Sequence, residues 1–125
     1  MAKILIVDDE EKMLVLYREV LLNAGFEVLT ANNGNDGMKL AAEANPDLVL
    51  LDVMMPEKDG GSIAGEMLQN DKTKNIPVIF LSSIVTDEET TRSNGNIGGR
   101  LYVSKSTDKK ELIKLIREVL ASRAK

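Results

Sequence analysis

Five side chains with chemical potential follow short apolar runs. Asp8 and Asp9 follow Ile4-Leu5-Ile6-Val7, Asp52 follows Leu48 to Leu51, Ser82 follows Pro77 to Leu81, and Lys105 lies just beyond Leu101 to Val103. Three carboxylates crowded together repel one another and suffer raised pKa values unless a cation sits among them. A hard divalent ion with oxygen ligands, Mg²⁺ above all, resolves that conflict with a few protein ligands and several waters. One carboxylate can then act as a nucleophile on phosphorus. Such a transfer asks mainly for positioning and charge stabilisation, which the metal, Lys105 and the Ser82 hydroxyl suit.

These residues meet only if the runs before them lie side by side. The runs are apolar throughout rather than alternating, which suits strands of a sheet covered on both faces. Phe26 to Ala31 reads as one more strand. Between the runs the pattern turns helical. Met13, Tyr17, Val20, Leu21 and Ala24 fall on one helix face, and Gly25 stands where that helix would end. Asn33-Gly34 resembles a hairpin turn, but Met38, Ala41 and Ala42 follow at helical spacing, so it reads as a strand-to-helix loop. Gly60 to Gln69 is a modest helix. Leu112, Leu115, Ile116, Val119 and Leu120 mark a strong last one, with Asp108 as cap and Glu111 three residues on. Alternating strands and helices predict an α/β fold, a doubly wound five-stranded parallel sheet. Ligands of such sheets bind outside the carboxyl ends of the strands, where the five side chains fall.

Composition narrows the function. A chain of 125 residues suits one domain, and 43% hydrophobic with 29% charged residues is ordinary for a globular protein. Two Phe, two Tyr and no Trp leave an aliphatic core. The absence of cysteine excludes thiolate chemistry and is compatible with a reducing cytoplasm. The first apolar run is too short for a signal peptide or a membrane span. A net charge of −4 argues against nucleic-acid binding by the domain itself.

Taken in order, the motifs resemble the receiver domain of bacterial two-component response regulators. Ile4 to Glu10 is similar to that family's acidic opening, and Leu51 to Gly60 to its phosphoacceptor loop. Pro77 to Ser83 is similar to the strand ending in a switch hydroxyl, and Gly98 to Lys105 to the strand with a switch aromatic and a lysine. The resemblance spans nearly the whole chain and implies one receiver domain over 1–125. It implies the flavodoxin-like three-layer fold with strand order 2-1-3-4-5. Asp52 would take a phosphoryl group from a histidine kinase or phosphotransfer protein. Asp9 and Asp52 would bind Mg²⁺ directly, Asp8 largely through water, and the Met54 carbonyl would complete the protein ligands. Lys105 would pair with the phosphoryl oxygens, Ser82 would move to bond one of them, and Tyr102 would swing inward behind it. The chain would be a cytoplasmic phosphoacceptor signalling domain that assists its own phosphorylation and dephosphorylation, not a turnover enzyme, with no membrane partner.

The sequence also departs from the family pattern. Ser106 stands where the family usually has Pro after the lysine. Thr86 to Asn96 has no apolar stripe, which predicts a short or irregular fourth helix. In the family, the side chains two positions beyond the phosphoacceptor and two beyond the switch hydroxyl flank the approach to the phosphoryl group. By that resemblance Met54 and Ile84 would do so here, and both being apolar predicts slow self-dephosphorylation. Among rivals, a nucleotide- or flavin-binding domain would want glycines where Asp8-Asp9-Glu10 stand. A phosphatase with an Asp nucleophile would commonly want a carboxylate at position 54. A receiver-like interaction module without phosphotransfer is compatible with every one of these residues.

Overall fold

The computed structural model describes residues 2–52, 60–82, 96–97, 100–105 and 107–123. Strands β1 (Lys3–Val7), β2 (Glu27–Ala31), β3 (Leu48–Asp52), β4 (Val78–Ser82) and β6 (Arg100–Ser104) run parallel, in the order β2-β1-β3-β4-β6. This is the five-stranded parallel sheet, ordered 2-1-3-4-5, that the sequence and its family resemblance lead one to expect. A two-residue strand β5 (Asn96–Ile97) pairs antiparallel with β6 at the outer edge, which the apolar pattern does not signal. The rest of the segment expected to hold an irregular fourth helix lies outside the described residues. So do Met54, Ile84 and Ser106.

The uniformly apolar strands divide residue by residue between two cores, because successive side chains leave a strand on opposite faces. Ile4, Ile6, Leu48, Leu50, Ile79, Leu81 and Val103 face helices α1 (Glu11–Asn23) and α4 (Lys109–Arg123). Leu5, Val7, Val49, Leu51 and Phe80 face α2 (Gly34–Ala44) and α3 (Gly60–Gln69). Each face therefore excludes water from the sheet, and three layers result.

Helix ends follow local chemistry. Gly25 (φ +94°) closes α1: its N–H donates to Leu22 O, and the Phe26 N–H donates to Leu21 O. Asn33 caps α2 by accepting from the Asp36 N–H at 2.8 Å, so Asn33-Gly34 does begin a helix. Asp108 accepts from the Lys110 N–H at 3.0 Å at the start of α4. The buried stripe of α1 is Leu14, Tyr17 and Leu21, with Met13, Val20 and Ala24 at its margins. One sheet contact is unusually close. A Cβ on Gly37 of α2 would stand 2.8 Å from Val7 Cγ2, so that crossing admits only glycine without a shift.

Candidate functional site

Parallel register assembles the site. Val7 lies beside Leu51, so Asp8 and Asp52 come next on adjacent strands. Ser82 ends β4 beside Ser104, and the Lys105 N–H donates to Ser82 O at 2.9 Å. Asp8, Asp9 and Asp52 each place a carboxylate oxygen within 4.8 Å of the others. Asp8 is 0% and Asp52 2% exposed, whereas Asp9 faces solvent. Carboxylates so buried require a positive partner. The Lys105 ammonium, 14% exposed, supplies one at 3.2 Å from Asp8 Oδ2 and 3.3 Å from Asp52 Oδ1. Burial alone would push its pKa down. The Asp8 and Asp52 carboxylates outweigh that and raise it above the ordinary lysine value.

The electrostatics leave room for a second cation. Asp8 Oδ1 accepts from the Glu10 N–H at 2.9 Å, while Oδ2 is buried and, among the described residues, has no hydrogen bond beside its ion pair to Lys105. A lone pair of that kind, beside an exposed Asp9 and a buried Asp52, fits a hard cation with oxygen ligands. Tyr102 is half-buried and stacks on Phe80, its neighbour in register, with ring centroids 5.0 Å apart.

The structure therefore gathers Asp8, Asp9, Asp52 and Lys105 into one cluster, with Ser82 tied to the Lys105 backbone. Two further residues belong to this neighbourhood. Glu10 Oε1 stands 3.3 Å from Lys105 Nζ, although its side chain is 61% exposed. Its place directly after Asp8-Asp9 was the available signal. Tyr17, 1% exposed, is near enough to interact electrostatically with Lys105, Asp8, Asp52 and Glu10. Burial first, then the negative charges nearby, raise its phenol pKa to about 12 against the opposing effect of Lys105. Nothing in its helical spacing separates it from ordinary core.

Fold and cluster together define a doubly wound α/β domain with an acidic, lysine-bearing edge at the carboxyl ends of its strands. The chain belongs to the family of response regulator receiver domains, which matches residues 4–117. It is 38% identical to protein PilH of Pseudomonas aeruginosa, covering 97% of this chain and 99% of that one. It is 31% identical to the polar-differentiation response regulator DivK of Brucella anthropi, covering 94% of each. Among solved structures, the Vibrio cholerae chemotaxis protein CheY4 superposes with a TM-score of 0.81 at 27% identity, over 95% of this chain and 98% of that one. The family's general function is to accept a phosphoryl group and switch in response. No helix among the described residues is long and apolar enough to cross a membrane.

Proposed function

We propose that Asp52 is the phosphoacceptor of a Mg²⁺-dependent switch, and that the whole of 1–125 acts as one receiver domain. The observation that carries this reading is the Lys105 ammonium held between Asp52 Oδ1 and Asp8 Oδ2, at 3.3 and 3.2 Å. An Asp52 carboxylate oxygen attacks the phosphorus of a partner's phosphohistidine. The O–P bond forms as the N–P bond breaks, and the departing electron pair stays on the imidazole nitrogen, which takes up a proton. Lys105 then exchanges a carboxylate partner for a phosphoryl oxygen, remaining paired throughout. Ser82, at the end of the next strand, donates its hydroxyl to another oxygen, and Tyr102 turns inward from its place on Phe80. Asp8, Asp9 and Asp52, with the Met54 carbonyl, would hold a Mg²⁺ ion, which when bound would neutralise charge at the phosphoryl oxygens.

The donor is a histidine kinase or phosphotransfer protein. The domain assists both its own phosphorylation and its later dephosphorylation, working in the cytoplasm. It does not bind nucleic acid directly, in keeping with its net charge of −4. Incubation with Mg²⁺ and acetyl phosphate, followed by intact mass, tests this. One alkali-labile phosphate per chain is expected, lost in Asp52→Asn and only slowed in Asp9→Asn. A label on any other residue of the wild type, or no adduct at all, overturns the assignment.

A further inference from the structure

Lys109 is oddly placed. It is the first residue of α4, where the helix dipole disfavours a cation. Its ammonium nevertheless turns inward. Nζ stands 4.9 Å from the centroid of the buried Tyr17 ring, and it donates to the carbonyls of Lys105 and Thr107, each at 3.4 Å. Both hydrogen bonds are long, and with the ring contact they converge on one charge. A cation over an aromatic face gains most where water is excluded, and Tyr17 is the largest of the fully buried side chains.

What the clamp holds is the backbone of Lys105. On one side the Lys105 N–H is tied to Ser82 O, and on the other its carbonyl accepts from Lys109. The next residue is Ser106, whose φ no ring constrains. The aim of the Lys105 side chain toward Asp52 thus depends on contacts at both of its peptide groups. We infer that Lys109, seated on Tyr17, is a positioning residue for Lys105 and so sets the rate of phosphoryl transfer to Asp52. The inference rests on the role of Asp52 proposed above.

The test compares Lys109→Met, Lys109→Arg, the neighbouring surface substitution Lys110→Met, and Tyr17→Leu alone and with Lys109→Met. Adduct formation from acetyl phosphate and Mg²⁺ and the Lys105 ammonium resonance in NMR spectra are read for each. Small misplacements of a reacting group cost large factors, so Lys109→Met is expected to slow adduct formation on the order of tenfold. Its half-maximal Mg²⁺ concentration stays unchanged and the Lys105 resonance moves. Lys109→Arg restores most of the rate, Lys110→Met has no effect, and Tyr17→Leu adds little to Lys109→Met. A wild-type rate and an unmoved resonance in Lys109→Met overturn the inference, as does an equal loss in Lys110→Met or Lys109→Arg. Should Tyr17→Leu fail to fold, the Lys109 variants decide. Should the wild type take no phosphoryl group, the role of Asp52 fails, and the resonance alone judges the clamp: moved by Lys109→Met but not by Lys109→Arg supports it, unmoved overturns it.

Discussion

The backbone N–H of Lys105 donates to the carbonyl of Ser82 across 2.9 Å. That bond ties the ends of β4 and β6, so a hydroxyl and an ammonium from distant parts of the chain leave the sheet side by side. Because it is a main-chain bond, replacing either side chain leaves it in place.

Lys105→Met removes the ammonium and leaves Asp8 and Asp52 buried without it. Losing one partner of a largely buried ion pair costs about 3 kcal/mol. Urea unfolding in EDTA is expected to show a loss of about that size. Excess Mg²⁺ should restore much of it, since a bound cation takes over the neutralising role. Equal losses with and without Mg²⁺ would separate the lysine from the metal site.

Alkaline pH should strike at Tyr17. Its pKa is about 12 in the folded chain against 10.0 for an unperturbed tyrosine phenol, so the folded state holds its proton more tightly. The resulting stability is fully present below pH 10.0 and is lost as pH rises through about 12. The loss is on the order of 2–3 kcal/mol across that window. Urea midpoints measured upward from pH 10 are expected to fall more steeply for the wild type than for Tyr17→Phe, which has no proton to lose. Lys105, whose pKa is also raised, loses its contribution in the same direction, and that part of the slope should survive in Tyr17→Phe.

Gly37→Ala sets helix propensity against packing. Alanine improves an exposed helix interior by about 1 kcal/mol. Here the new Cβ would meet Val7 Cγ2 at 2.8 Å and Cγ1 at 3.0 Å, both on a fully buried, β-branched side chain. Overpacking of this kind costs about 1–3 kcal/mol, so a net destabilisation is expected by thermal unfolding. Combining it with Val7→Ala should cost less than the two single changes added together.

Position 54 and position 84 bear on how long the phosphorylated state lasts. The Ile84 side chain offers no hydrogen bond to an attacking water, and the Met54 thioether is only a weak acceptor. Met54→Asn combined with Ile84→Glu is expected to speed loss of phosphate from the Mg²⁺-bound adduct. An unchanged or slower decay, followed by intact mass over time, would show that these side chains do not govern it.

How much of this was legible beforehand depends on whether the signal is local. Ile4 to Val7 and Leu48 to Leu51 announce buried strands by being apolar throughout, and parallel strands bring their carboxyl ends to one edge. Asp8, Asp9, Asp52, Ser82 and Lys105 could therefore be placed together from sequence. The Asn33 cap and Gly25 were equally readable, since each acts on backbone within a few residues. Only the tertiary structure decided that Glu10 reaches Lys105, that Gly37 rides against Val7, and that Asn96–Ile97 borders the sheet. The same holds for Tyr17, which spacing alone marks as core and which packing sets against Lys109, far along the chain. Periodicity records which face of an element is buried. What that face meets is settled by how whole elements pack, a relationship between distant residues that no local pattern contains.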